Sequence, residues 1–323
     1  MHPTRGGWKA ALAASVLLGS PAWAQSYPAK PIRFIVGFAP GGPNDILARI
    51  VGQKLSENTS VPVPVDNRPG ADSIIGTQLA ARAPADGYTI AMISASSTIH
   101  PSVYTNIPFD IAKDLAPVGL LASGAFVLVV NPSVPARSVK DLVALARAKP
   151  GQLNFASSGV GGTLHLSGEL FKVMAGVDMV HVPFKGAGPA ALDVLAGRGH
   201  LTFDSIPVWI GHIKAGRVRA LGVTTLERSA TLPDLPTVAE SGLPGFDVAN
   251  WLAVYAPAKT PRPVIDRINA TLATVMADAD IRRQLLEQGV ESAHTTPAEL
   301  AALMRRDTEK WARIVKASGA KLD

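Results

Sequence analysis

The stretch Phe38-Ala39-Pro40-Gly41-Gly42-Pro43-Asn44-Asp45-Ile46-Leu47-Ala48-Arg49 is the junction that decides the fold. The apolar run 32–36 precedes it and predicts a strand, and the apolar residues that follow recur at helical spacing. Pro43 suits the first position of a helix, and Asn44 and Asp45 suit its first turn. A helix start carries unpaired N–H groups and a partial positive charge, and glycines let a ligand approach the backbone. The junction is therefore either an anion site or a sharp turn.

Strands and helices alternate around this junction. Helical spacing continues to Leu55, and further strands are predicted at 61–65 and 89–93, with a helix at 74–82. This alternation predicts a parallel sheet, whose ligands bind at the carboxyl ends of the strands. The loops that share that edge are 37–43, 66–73 and 94–100.

The same pattern restarts later in the chain. A long apolar run at 115–130 predicts a strand that crosses between two lobes, and a second glycine loop at 157–162 leads into a predicted helix at 163–174. The strand 251–255 leads back, and three amphipathic helices after it are predicted to pack on the first lobe. The sequence predicts two α/β lobes joined by two crossing strands, each with a glycine-rich helix start at the gap.

Composition limits the class of protein. The chain has 323 residues, 47% of them hydrophobic and 17% charged, which suffices for a sizeable core. Met1 to Ala24 has the charged start, apolar centre and small-residue end of a signal peptide cleaved near Ala24, which predicts export to the periplasm. Cysteine is absent, so disulfides, thiolate metal sites and a lipid-anchoring cysteine are excluded. The charge of +6, without a run of basic residues, disfavours nucleic-acid binding.

Chemical motifs are scarce. The second glycine loop has neither the spacing of a dinucleotide fingerprint nor the ending of a phosphate loop, and no nucleophile elbow or paired metal-binding histidines occur. We therefore predict no catalytic residues, no metal and no cofactor. His165 either faces a ligand or packs in the core, while Asp204 and Ser205 either bind ligand polar groups or cap a helix.

An ordered set of motifs gives a resemblance over essentially the whole mature chain. These motifs are Pro40-Gly41-Gly42-x-x-Asp45-x-x-Ala48-Arg49, Asn67-Arg68-Pro69-Gly70-Ala71, Asp86-Gly87-Tyr88-Thr89, His165-Leu166-x-x-Glu169-x-Phe171, Val182-Pro183-Phe184-Lys185-Gly186 and Leu232-Pro233-Asp234-Leu235-Pro236-Thr237-Val238-Ala239-Glu240. With this set of motifs the chain resembles the Bug-type (TctC-like) extracytoplasmic solute receptors of tripartite tricarboxylate transporters.

The resemblance implies a type II periplasmic binding protein fold. Residues 25–124 plus 250–323 would form lobe 1 and 125–249 lobe 2, with a hinge near 120–127 and 248–256. It also implies a monomer that binds one small organic acid, usually a carboxylate, and delivers it to the membrane subunits of a transporter.

The same resemblance implies a set of ligand contacts. Asp45 would order water at the helix start more than it would touch an anion. The predicted set is Phe38, Ala39, Gly42, Asp45 and Ser96 in the first lobe and Ser158, Gly161, Gly162, Thr163, His165, Asp204 and Ser205 in the second.

Two departures from the family pattern bear on the ligand. Where the family commonly has Gly-Ala-Gly-Gly, this chain has Gly70-Ala71-Asp72-Ser73, and Phe184 stands where tyrosine is usual. Asp72 would either repel a second anionic group of a ligand or face solvent without effect.

Two other functions stay open at the level of sequence. One is a receptor that signals through a membrane sensor kinase, which needs the same cleft. The other is an exported hydrolase that uses an unrecognised serine with His165.

Overall fold

The computed structural model describes residues 27–319. The predicted signal peptide at 1–24 lies outside the described residues. In chain order the elements are β1 (Arg33–Val36), α1 (Pro43–Thr59), β2 (Val65–Asn67), α2 (Ile74–Ala81), β3 (Thr89–Ser94), a 3₁₀ turn (Ala95–Thr98), α3 (His100–Val103), α4 (Ile111–Asp114), β4 (Leu115–Val130), α5 (Val139–Ala148), β5 (Asn154–Ser157), α6 (Thr163–Ala175), β6 (Val180–Pro183), α7 (Ala187–Leu195), β7 (Leu201–Ser205), α8 (Ile206–Lys214), β8 (Arg219–Val223), β9 (Ala249–Pro257), α9 (Arg262–Ala277), α10 (Ala279–Glu287), β10 (Glu291–Ser292) and α11 (Pro297–Ser318).

The first lobe is built on the strand order β2-β1-β3-β9-β4, with β10 on the other side of β4. β1 pairs in parallel with β2 and β3, whereas β9 runs antiparallel to β3 and β4. Successive residues of β1 are buried on opposite faces, Phe34 and Val36 on one and Ile35 on the other. Helices therefore cover both faces, and the loops after β1, β2 and β3 meet at one edge.

The second lobe repeats this arrangement around the second half of β4. That half pairs antiparallel with β7 on one side and β8 on the other, and β5 pairs in parallel with β6 and β7. Val127 and Val129 face one core, and Leu128 and Val130 face the other. The carboxyl ends of β5, β6 and β7 consequently share one edge of this sheet.

Two chain segments cross between the lobes side by side. β4 runs through both sheets without interruption, and β9 pairs only with its first part. The fully buried Thr224 joins the two crossing segments. Its Oγ1 lies 2.9 Å from Phe126 N of β4 and donates to Val248 O, just before β9, at 2.6 Å. The predicted two-lobe α/β fold is confirmed.

Helix α11 is a further connection between the lobes. Its first half packs Leu300 and Met304 against the first-lobe sheet, while Trp311, Ile314 and Val315 belong to the core of the second lobe. Helix α11 therefore contacts both cores. The lobe boundaries, including the assignment of 250–323 to lobe 1, and the hinge ranges stay predictions.

Several elements differ from the sequence-based expectation. The position of the strand predicted at 61–65 is wrong, because β2 begins only at Val65. Pro62 and Pro64 have no N–H to donate, and their carbonyl oxygens accept from Ile32 N and Phe34 N. Helix α8 was not predicted, although it buries Ile206 and Trp209. Within residues 27–319, no helix is both long and apolar enough to cross a membrane.

Candidate functional site

The first candidate loop connects β1 to α1, and we call residues 37–45 the first jaw. Gly42 is the N-cap of α1 with φ −80° and ψ 167°, and it provides no side-chain cap. Gly41 has φ +79°, a left-handed conformation that favours glycine. The Gly41 N–H donates to Asp45 Oδ2 at 2.8 Å, four residues along the chain.

The second candidate loop connects β5 to α6, and residues 157–165 form the second jaw. Gly162 caps α6 with φ −79° and ψ 169°, again without a side-chain cap, and Gly161 has φ +78°. The Gly161 N–H donates to His165 Nδ1 at 3.0 Å, also four residues along. At the cap and the glycine before it, the two jaws thus have the same backbone geometry, whereas the residue that accepts the glycine N–H differs.

This geometry suits an anionic group. A glycine cap offers no side chain to accept from the first-turn N–H groups, so those donors are left for water or a ligand. The positive end of the helix dipole lies at the same place. Each lobe therefore presents a glycine-capped helix start of this geometry at the carboxyl edge of its sheet.

Asp45 is almost fully buried, with 2% of its surface exposed. Its carboxylate accepts from Arg49 Nε at 2.9 Å and from Asn67 Nδ2 at 2.8 Å, in addition to Gly41 N. The Arg49 hydrogen bond lowers the pKa of Asp45 to about 2 against the opposing effect of burial, so the group is ionised at neutral pH. Asp45 therefore stabilises the backbone conformation of the first jaw through its contact with Gly41.

His165 has the corresponding role in the second jaw. Its Nδ1 accepts from Gly161, so the proton of the neutral ring is on Nε2, 3.8 Å from Glu169 Oε1. The ring stacks on His181 at 3.7 Å between centroids, and His181 stacks in turn on Phe155. Burial, with a smaller effect of Lys172, lowers the pKa of His165 to about 4.

His181 holds the other end of the second jaw. Its Nε2 lies 2.6 Å from Ser157 Oγ, and that hydroxyl donates to Gly159 O at 2.7 Å. Burial, followed by the charges of His165 and Lys172, lowers the pKa of His181 to about 3. Both histidines are therefore neutral at pH 7, and together they fix the loop on both sides of Val160.

Asp204 lies at the carboxyl end of β7 but does not present its carboxylate to the gap. Its Oδ1 accepts from Ser205 N at 2.7 Å and its Oδ2 from Trp209 Nε1 at 3.0 Å. Burial raises the pKa of Asp204, with these hydrogen bonds opposing it. The carboxylate thus anchors the start of α8 through Trp209, and the predicted use of Asp204 in ligand binding stays a prediction.

The remaining predicted residues lie where strands end. Phe38 packs partly against the first-lobe core and Ala39 is exposed. Ser96 follows β3, with Oγ 3.0 Å from Ser94 Oγ. Ser158, exposed, and Thr163, half-buried, belong to the second jaw, and half-buried Ser205 is the N-cap of α8. The structure thus groups Phe38, Ala39, Gly42, Asp45 and Ser96 at one sheet edge and Ser158, Gly161, Gly162, Thr163, His165, Asp204 and Ser205 at the other.

A family model described as the tripartite tricarboxylate transporter family receptor matches residues 47–320. The chain belongs to this family. The resemblance seen in the sequence motifs is confirmed.

Curated relatives cover nearly the whole receptor. It is 41% identical over 291 residues to a Pseudomonas sp. (strain P51) protein described as the UPF0065 protein in the tcbD-tcbE intergenic region, covering 90% of this chain and 87% of that one. It is 35% identical over 307 residues to protein BugT of Bordetella pertussis, covering 94% of each.

Solved structures of related receptors agree with the fold. One described as R. palustris Rpa4515 with adipate is 36% identical, has a TM-score of 0.75 and covers 92% of this chain and 100% of that one. The periplasmic binding protein BugD is 32% identical with a TM-score of 0.72 and the same coverage. MatC of Rhodopseudomonas palustris, with bound malate, is 27% identical with a TM-score of 0.72, covering 90% of this chain and 100% of that chain.

Sequence reasoning missed the residues that support the jaws of this receptor. His181 and Ser157 had no assigned role, and Asn67 was quoted only as part of a motif, although its amide contacts both Asp45 and Phe38 O. Trp209 lies in the helix that was not predicted. Asn67 and Ser157 each lie at the end of a strand beside a glycine loop, and this position could have identified them from the sequence.

Proposed function

We propose that this receptor binds one small organic carboxylate between its lobes and delivers it to the membrane subunits of a tripartite tricarboxylate transporter. The observation that supports this most strongly is that α1 in one lobe and α6 in the other both start at a glycine without a side-chain cap, with matching cap dihedrals of −80°/167° and −79°/169°. Of the related structures, Rpa4515 was solved with adipate and MatC with bound malate, which are both small carboxylates.

The jaws would bind the carboxylate mainly with backbone groups. We expect contacts from Phe38, Ala39, Gly42, Ser158, Gly162 and Thr163, with the hydroxyls of Ser96 and Ser205 at the two sheet edges. Asp45, Gly161, His165 and Asp204 would act by holding these loops, since their polar atoms already bond to neighbours. A ligand that touches both jaws favours the closed arrangement of the lobes through its differential affinity.

Alanine at the two caps tests the jaws directly. A Cβ at Gly42 would meet only Ala39 O, at 3.6 Å, and a Cβ at Gly162 would meet nothing within 4 Å, and neither backbone is left-handed. Gly42→Ala and Gly162→Ala should therefore leave the melting temperature of the free protein unchanged. Each new methyl group would occupy space in front of a helix start, so we expect at least a tenfold loss of carboxylate affinity.

A thermal-shift panel identifies the ligand class. It should contain mono-, di- and tricarboxylates, amino acids and nicotinate-like acids, with native mass spectrometry of the purified protein to detect a retained ligand. A ligand at a hundredfold excess over its Kd adds about 2.7 kcal/mol to the free energy of unfolding. If no carboxylate shifts the melting temperature and the cap variants behave like wild type, the proposal is wrong.

The cellular setting follows from the family. We propose export with cleavage near Ala24 and action as a monomer in the periplasm, which mass spectrometry of the mature chain and size-exclusion chromatography would test. Neighbouring genes for two membrane subunits would support transport, and a neighbouring sensor kinase would support signalling.

We also propose that the protein is not an enzyme. In the described chain the Ser157–His181 pair is internal to the second jaw, with Ser157 only 1% exposed, and His165 Nδ1 is occupied by Gly161. A screen against ester and amide substrates should show no turnover. Turnover abolished by Ser157→Ala would reverse this assignment.

A further inference from the structure

Four consecutive residues before α2 have an unusual backbone. The φ angles are +136° at Gly70, +46° at Ala71, +48° at Asp72 and +72° at Ser73. Within residues 27–319, Ser60 is the one other non-glycine residue with a positive φ. Left-handed conformations are unfavourable for residues with a Cβ and persist where the surroundings enforce them, often at functional sites.

This strained run lies across the edge of the first-lobe sheet. A Cβ added at Gly37 would collide with Ser73 Cβ, and one added at Gly76 would lie 2.8 Å from Gly37 Cα. Gly37 begins the first jaw, so the strained run packs directly behind it. The Ser73 hydroxyl is buried there without a hydrogen-bond partner in the described structure, which is a second unfavourable feature of the same segment.

Asp72 projects from the run towards the segment after β3. Its Oδ2 lies 2.9 Å from Nε2 of His100, whose side chain is 3% exposed, while 41% of the Asp72 side chain stays exposed. The neighbouring Arg68 is bound to Asp66 at 2.9 Å, so in the described chain His100 is the basic group that Asp72 contacts. His100 thus holds one oxygen of the Asp72 carboxylate, and part of the side chain stays open to solvent beside the first jaw.

We propose that Asp72 determines specificity for the far end of the ligand. The receptor then takes a monocarboxylate whose other end has a hydrogen-bond donor such as an amide, a hydroxyl or an ammonium group. A second carboxylate at that end would be repelled by Asp72, whereas a donor would bond to its open oxygen. His100 and Ser73 are positioning residues. This inference rests on the proposed function, because the first carboxylate must occupy the jaws.

Ligand sets of matched length measure the effect. Adipate, its monoamide and 6-aminohexanoate differ mainly in the charge at one end, as do succinate, succinamate and 4-aminobutyrate. By calorimetry we expect wild type to bind the better amide or amine about fivefold or more tightly than the dicarboxylate of the same length. Asp72→Asn should reduce that ratio to about twofold or less, since only the charge is removed.

Three variants separate specificity from folding. Asp72→Gly suits the left-handed backbone, which offsets the lost contact with buried His100, so its melting temperature should change little while discrimination is lost. His100→Leu should weaken discrimination by releasing the carboxylate, because leucine has no hydrogen-bond donor. Asp86→Asn is the matched control, because it removes one negative charge near the opposite edge of the same lobe, where Asp86 pairs with Lys30 at 3.2 Å, and should leave the ratio unchanged.

The outcomes are distinguishable. A wild type that prefers the dicarboxylates, or an equal ratio in wild type and Asp72→Asn, overturns the role of Asp72 and leaves the carboxylate receptor intact. Binding by none of the six compounds, together with no response to the wider carboxylate panel, overturns both. A preference that disappears in Asp72→Asn and survives in Asp86→Asn supports the proposal.

Discussion

Asp45 and His165 occupy equivalent positions in the two jaws, and each accepts a hydrogen bond from a glycine N–H. Each lies four residues after a left-handed glycine and accepts its N–H, at 2.8 Å and 3.0 Å. Asp45 is ionised and bound to Arg49, whereas His165 is neutral and stacked on His181. Both side chains therefore set the shape of a jaw.

Asp45→Ala tests the role of this buried carboxylate. Three hydrogen bonds to a charged group are lost, and the Gly41 N–H and one of the two Asn67 amide hydrogens are left without an acceptor, so the free energy of unfolding should fall by about 2 kcal/mol. Urea denaturation measures this. Asp266→Ala removes an exposed i,i+4 pair with Arg262 and should cost less than about 0.5 kcal/mol. Equal losses in the two variants would contradict a structural role for Asp45.

The stacked histidines predict a loss of stability in mild acid. Their folded pKa values of about 4 and about 3 lie below the ordinary 6.5, so the unfolded chain binds more protons as the pH falls. The stabilisation is fully present above pH 6.5 and is lost progressively towards pH 4, by about 2 kcal/mol or more. Urea titrations at pH 7.5, 6 and 5 test this.

Two variants test whether His165 causes this pH dependence of stability. His165→Gln removes one titrating group and should flatten the slope, while His294→Gln, on an exposed residue, should leave it unchanged. A wild-type stability that does not vary between pH 7.5 and 5 would show that the histidines titrate normally.

At the level of elements, the helices differ in how they begin. α11 starts with a complete capping box, in which Thr296 and Glu299 satisfy each other's backbone N–H groups. α1 and α6 start with glycine and have no side-chain cap. An uncapped start lowers stability by leaving N–H groups unpaired, and it also leaves them free for a ligand.

Gly41→Ala separates backbone strain from binding. Its Cβ would meet nothing within 4 Å, so the cost is that of a left-handed alanine at φ +79°, about 1 kcal/mol. Gly216→Ala, with φ +68° and equally open surroundings, should cost the same. Because Gly41 shapes the first jaw, only its variant should lose carboxylate affinity in calorimetry. A similar loss in both variants would mean that instability alone reduces binding.

Across the whole molecule, the lobes touch at more than the crossing strands. α11 enters both cores, and on another side the loop at Gly289 packs against Pro207 at the start of α8. Trp251 at the start of β9 donates to Asp307 Oδ2 of α11 at 2.9 Å. These contacts constrain how far and in which direction the lobes can rotate.

Gly289→Ala should shift the molecule towards the open form. A Cβ there would collide with Pro207 of the other lobe, so small-angle scattering should show a larger radius of gyration and ligand affinity should fall. Gly245→Ala is the control, since its φ of +83° carries similar strain but its Cβ meets nothing within 4 Å. Unchanged affinity in Gly289→Ala would show that this contact is not part of the ligand-binding arrangement.

Prediction from the sequence succeeded where the signal was local and periodic. The apolar spacing after Gly42 and the glycine loops identified β1, α1, β5 and α6, and the run 115–130 was recognised as a crossing strand. The prediction for 61–65 was wrong because it rested on the spacing of apolar residues, which takes no account of the N–H groups that Pro62 and Pro64 lack. α8 was missed because it is only nine residues long, contains Pro207 and Gly211, and follows directly on β7.

The sequence by itself determined the two-lobe α/β plan, the family and the two glycine helix starts, since these depend on hydrophobic period, glycine placement and motif order along the chain. Only the tertiary structure decided which polar atoms remain for a ligand. Asp45, His165 and Asp204 were predicted as site residues, yet their acceptors are bonded to groups nearby in space. Hydrogen-bond partners brought together by folding, such as Asp72 and His100, are separated along the chain, and no local pattern records them.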